Sequence, residues 1–101
     1  MVQYELGGAW VVVARGDCDM NSLGPLTAAL ETAAEKHRRV VLDASAVTFA
    51  DSSFLNLVVR VHQETSLRVA APAPQLRRVL ELTGADAVLD VRDTVDDAAS
   101  P

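Results

Sequence analysis

The run Val40-Val41-Leu42 carries no polar residue and stops at Asp43. A strand with a solvent face alternates apolar and polar residues. A short run without alternation is instead expected of a buried central strand. Patterns on both sides of it predict what surrounds that strand. Val2–Leu6 alternates weakly, meets Gly7-Gly8, and gives way to a β-branched run over 9–15 that ends at Gly16. Strand, glycine turn, strand predicts an opening hairpin. Leu23, Leu26, Leu30, Ala33 and Ala34 recur at helical spacing, predicting a helix over 22–36 with Asn21 or Ser22 as its cap. Pro25 is tolerated in its first turn, and His37, Arg38 and Arg39 place cations near its negative end.

After the central strand, 44–50 reads as a loop. From Ser52 to Glu64, Phe54, Leu55, Leu57, Val58, Val59 and Val61 fill one broad helical arc, opposite Ser53, Asn56, Arg60, Gln63 and Glu64. Leu67–Ala71 predicts a strand. Pro74 opens a third helix with Leu76, Val79 and Leu80 inside and Gly84 at its end, and Val88–Val91 predicts a last strand. The fold class is therefore α/β: a single domain with a mixed β-sheet opened by a hairpin and about three to four helices packed on it. The domain spans 1–92. The acidic, Ala-rich segment 93–101 is expected to fray.

Composition excludes several functions. With 101 residues, half of them apolar, one aliphatic core is possible without metal or disulfide. The balance of 9 Lys+Arg against 14 Asp+Glu argues against a nucleic-acid binder or a ligand of anionic membranes. Cys18 is the single cysteine, which fits a reducing compartment. No basic n-region with a cleavable apolar stretch opens the chain, and the early run Ala9–Ala14 is too short to cross a bilayer, so a cytoplasmic protein without membrane insertion is expected. No metal-ligand spacing of His, Cys, Asp or Glu occurs, and no phosphate-cradling glycine loop, so neither metal nor cofactor is expected.

Chemistry concentrates at Asp51-Ser52-Ser53, where a loop meets a helix. Two readings fit. In one, an Asp or Ser oxygen caps orphan N–H groups, worth about 1 kcal/mol. In the other, a serine on the first helical turn accepts a phosphate beside free N–H donors at the positive end of the helix dipole. A hydrolytic triad does not fit, because Ser52 and His62 lie about 15 Å apart along one helix.

Three stretches together resemble the STAS domain family, in particular the bacterial anti-sigma factor antagonists. They are Gly16-Asp17-Cys18-Asp19, like a G-x-x-D loop; Val40-Val41-Leu42-Asp43 with Val47-Thr48-Phe49-Ala50-Asp51-Ser52-Ser53, like a strand, loop and D-S-[ST] segment; and Leu80-Glu81-Leu82-Thr83-Gly84. The resemblance implies a non-enzymatic switch. Ser52 would be the phosphorylation site, and Asp51, Ser52, Ser53, Asn56 and Arg60 would bind the partner. That partner would be a serine-kinase anti-sigma factor, which holds the ATP and releases a sigma factor when the unphosphorylated chain binds it. A PP2C-type phosphatase would restore Ser52. Where the family often has Gly-Leu-Gly after the serines, this chain has Phe54-Leu55-Asn56. A STAS subunit of a lipid-transport ABC complex, or a STAS binding module that is never phosphorylated, is the alternative.

Overall fold

The computed structural model describes residues 1–101. The hairpin forms as β1 (Gln3–Leu6) and β2 (Ala9–Cys18). Its turn residues Gly7 and Gly8 both have positive φ, 57° and 85°, the sign a type I′ hairpin requires. There follow α1 (Gly24–Lys36), β3 (Arg39–Ala50), α2 (Ser52–Glu64), β4 (Ser66–Ala70), α3 (Pro74–Thr83), a 3₁₀ turn at Ala85–Ala87, β5 (Asp90–Arg92) and α4 (Val95–Ala99). One five-stranded sheet has the order β1-β2-β3-β4-β5, with β1 antiparallel to β2 and every later pair parallel. The domain is thus a mixed sheet with four helices, as the sequence pattern implies.

Strand order decides where the helices go. From β2 to β5 each new strand is added on the same side of the last. Right-handed crossovers then put α1, α2 and α3 on one face of the sheet. The buried residues divide accordingly. Val12, Val40, Leu42, Leu67 and Val69 join Leu26, Leu30, Phe54, Val58, Val61, Leu76 and Leu80 in a 22-residue core. The alternate strand residues Val11, Val41 and Ala70 point to the other face, where a cluster of only six includes Ala98 and Ala99 of α4. Val40, Val41 and Leu42 are all fully buried because both faces are covered.

Several expectations need correction. The segment 44–50 is not a loop: β3 runs on to Ala50, paired with β2 as far as Cys18↔Ala50. Two register shifts, between Val13 and Arg15 and between Gly16 and Asp17, each add a residue to β3. Its inward residues Ala44 and Val47 are therefore three apart, and the period-two signature is lost. Helix α1 starts at Gly24 after Leu23 with no side-chain cap, because the Ser22 hydroxyl is used elsewhere. The final strand is Asp90–Arg92, and Val88 is 55% exposed after the 3₁₀ turn. His37 stacks on Trp10, with ring centroids 4.8 Å apart and planes 2° from parallel.

The segment 93–101 also differs from the frayed end expected. Thr94 Oγ1 accepts from Asp97 N–H to cap α4, and Ala98 and Ala99 are buried. Arginines reach the end of this helix from the sheet. Arg68 Nη1 donates to the carbonyls of Ala98, at 3.1 Å, and of Ser100, while Arg39 Nη1 donates to that of Ala99 at 3.3 Å. Arg68 Nε lies 3.3 Å from Asp90 Oδ2 without hydrogen-bond alignment. Arg92 Nε donates to Asp90 Oδ1 at 2.7 Å, and its Nη1 lies 3.5 Å from Asp97 Oδ1. The carbonyls at a helix end otherwise lack partners, so these donors account for the order of a five-residue helix.

Arg68→Ala removes charged donors from half-buried carbonyls and is expected to lower stability by about 1.5–3 kcal/mol in urea unfolding. The hydrogen bond from Arg92 holds the Asp90 carboxyl below its ordinary value, aided by the charges of Arg92, Arg68 and His62 and opposed by desolvation. Its contribution is therefore present above the unfolded-state value, about 3.9, and lost as pH falls through the lower folded-state value. The difference in melting temperature between the protein and Asp90→Asn should narrow on acidification below about pH 4; a constant difference would contradict the role of the ionised carboxylate.

Candidate functional site

Asp51 follows β3 in an extended conformation, with φ −113° and ψ −172°, and caps α2. Its Oδ1 accepts from the N–H groups of Ser53 at 2.9 Å and Phe54 at 3.2 Å. Its Oδ2 accepts from Met20 N–H at 3.2 Å. One carboxylate thus starts α2 and also binds the loop between β2 and α1. That loop is internally tied: Asp19 Oδ1 accepts from Asn21 and Ser22 N–H, and the Ser22 hydroxyl donates to the Asp17 carbonyl at 2.6 Å. Thr48 Oγ1 donates across the strands to Asp17 Oδ1 at 2.9 Å. Gly16, with φ 71°, takes a left-handed conformation that a side chain disfavours, at the second register shift. The G-x-x-D loop and the D-S-S segment, remote in sequence, form one site.

Ser52 is exposed at the first position of α2, and its hydroxyl has no partner within the chain. Ser53 is half-buried. Asn56 and Arg60 follow Ser52 at intervals of four, so the three share one stripe of the helix surface. Arg60 Nη2 lies 3.7 Å from Glu31 Oε1 of α1, an exposed pair of small energetic consequence. On the opposite side, Phe54, Leu57, Val58 and Val61 are buried. Phe54 therefore anchors α2 in the core and does not add bulk to the outer surface.

The capping geometry revises the electrostatics expected of Ser52. Asp51 Oδ1 already holds the N–H groups of Ser53 and Phe54, and the Asp51 carbonyl takes that of Leu55. A phosphate on Ser52 would meet few free donors in this turn and would stand beside a carboxylate. Asp17 and Asp19 add further negative charge. Cys18, buried beneath them, reports the field: desolvation first, then the charges of Asp17, Asp19 and Asp51, push its thiol up. Such a thiol is a poor nucleophile. The imidazoles are placed elsewhere. His62 Nδ1 faces the Leu67 carbonyl at 3.2 Å, and His37 precedes the far end of β3. The exposed side chains of Met20, 75% accessible, and Phe49, 54%, flank the site. Sequence reasoning missed both. Phe49 carried a signal, an aromatic residue just before a polar helix start.

A family model described as Mlab, STAS domain, matches residues 2–91. The chain belongs to the STAS domain family. Solved structures agree. An anti-sigma factor antagonist from Mycobacterium paratuberculosis is 31% identical, with a TM-score of 0.86 over 96% of this chain and 87% of that one. A STAS domain protein from Planctomyces limnophilus is 19% identical, with a TM-score of 0.84 over 97% and 93%. The antagonist SpoIIAA in its unphosphorylated form is 19% identical, with a TM-score of 0.75 over 96% and 90%. The last two, at that identity, speak for the fold alone. No curated protein matches. No helix is long and apolar enough to cross a membrane.

Asp51→Ala removes the acceptor for three N–H groups on two elements. It is expected to cost about 1–2 kcal/mol, the upper part of the range for a lost helix cap, in chemical denaturation. A cost below about 0.5 kcal/mol would mean that the bond to the loop contributes nothing.

Proposed function

We propose that this chain is an anti-sigma factor antagonist: a cytoplasmic, non-enzymatic module switched by phosphorylation of Ser52. Unphosphorylated, it binds a serine-kinase anti-sigma factor and releases the sigma factor. The kinase holds the ATP and phosphorylates Ser52; a PP2C-type phosphatase reverses this. The observation that carries the reading is the exposed, unpartnered Ser52 hydroxyl at the first position of a helix fixed by Asp51. The 31% identity to an anti-sigma factor antagonist supports it. The fold is also that of SpoIIAA, whose structure is known in a phosphorylated form as well.

The physics of the switch follows from the local charge. Ser52, Asn56 and Arg60, with the half-buried Ser53 beside them, offer a mainly polar docking surface next to the carboxylate of Asp51. A phosphate brings close to two more negative charges into that acidic corner. Closing an interface over it requires stripping its water, with few free first-turn donors ready to replace that water. A penalty of about 3 kcal/mol weakens binding more than a hundredfold.

The test combines the chain, its cognate kinase and ATP. Phosphate is expected on Ser52, and the phosphorylated form should bind the kinase at least about a hundredfold more weakly. Labelling that survives Ser52→Ala would remove Ser52 from the scheme, and no labelling by any kinase of the source genome would remove the switch. A second reading, a STAS subunit that binds the ATPase of a lipid-transport ABC complex, has one observation behind it: the matching family model is described as Mlab. Co-purification with such an ATPase, with Ser52 unmodified, would favour it.

A further inference from the structure

The far half of β3 leaves the sheet. Its ladder with β4 ends at Asp43↔Ala70, while its ladder with β2 continues to Ala50. Residues 44–50 therefore have a strand neighbour on one side only. None of the backbone hydrogen bonds outside the ladders involves them, and among their N–H groups only that of Ser45 is taken by a side chain, Asp43 Oδ1. What ends β4 is visible. Ala71 has φ 52°, an unfavourable value for a residue with a side chain, and Pro72 follows; together they turn the chain away from β3 into α3.

The two edges of this β2–β3 arm contrast. The β2 edge carries Arg15, Asp17 and the left-handed Gly16, features that discourage pairing with another strand. The β3 edge reads Ala-Ser-Ala-Val-Thr-Phe-Ala, with no charge and no proline. A crevice runs beside it, lined by Val47, Phe49, Leu76 and Val79. Helix α3 forms the crevice's second wall. Asp43 and Asp51 bracket the edge, and neither forms an ion pair.

We propose that the open edge of β3 over Ala44–Ala50 docks an extended segment of a partner protein by strand addition. The segment is about seven residues long, apolar at alternate positions, with a Lys or Arg near each end. Its backbone pairs with β3, one apolar side chain enters the crevice against Leu76 and Val79, and its cations meet Asp43 and Asp51. This edge adjoins the α2 stripe at Asp51, but the atoms that pair are the backbone of β3, and nothing in the pairing requires Ser52 to be modified.

The probe is the blocked peptide Lys-Thr-Val-Thr-Val-Thr-Lys, titrated into isotope-labelled full-length protein and followed by NMR. The expected result is shift changes and slowed exchange confined to the amides of residues 44–50 and the crevice. The same peptide N-methylated at its valines should not bind. A version ending in Glu should bind at least about tenfold more weakly at low salt. The titration uses neither kinase nor ATP, so its result stands or falls apart from the phosphorylation switch. No perturbation at millimolar peptide, perturbation centred on α2, or equal binding by the N-methylated peptide would each overturn the proposal. So would a concentration-dependent dimer in sedimentation with the same amides protected, which would make the occupant a second copy.

Discussion

The handedness of the chain's crossovers governs this structure. Strands β2 to β5 are laid down in one direction, and a right-handed connection can then only return over one face of the sheet. All three long helices accordingly lie on that face. The sheet becomes asymmetric: a thick core on one side, a thin cluster of small residues on the other. Alternate residues of β2, β3 and β4 serve the two sides, which is why Val40, Val41 and Leu42 are apolar in succession. The small α4 answers the exposure left by this arrangement, and arginines from the strands beneath hold it down.

The same parallel arrangement brings the strand ends of β2 and β3 together, and the site is built there. Two loops leave neighbouring strands at the same end of the sheet, and the carboxylate of Asp51 ties them. An aspartate suits the position because it offers several acceptor sites from one side chain: one oxygen serves the helix, the other the loop. Holding the first-turn donors internally leaves Ser52 conspicuous, with its hydroxyl outside and its neighbour's negative charge beside it.

Much of this was legible in the sequence. Element order, the parallel region, the inner arc of α2 and a cap within Asp51-Ser52-Ser53 followed from periodicity, glycine and proline positions, and helix-start chemistry. The pairing of Gly16–Asp19 with Asp51–Ser53 did not follow, since the bond from Met20 N–H to Asp51 depends on strand register. The bulged half of β3 was hidden because two inserted residues move Ala44 and Val47 out of the alternation a strand reader looks for. The order of α4 was hidden because its partners, Arg39 and Arg68, look like ordinary surface cations until neighbouring strands place them under it.

Trp10 is the chain's single tryptophan, and it lies flat on the His37 ring with its indole N–H given to Gln3 Oε1 at 2.8 Å. The lone strong chromophore thus sits against an ionisable quencher, where β1, β2 and the end of α1 meet, with the length of β3 between it and Ser52. Its emission will register loss of the hairpin or of the α1 terminus. It will be nearly blind to events at the site, so partner binding has to be followed by a label placed near Met20 or Phe49.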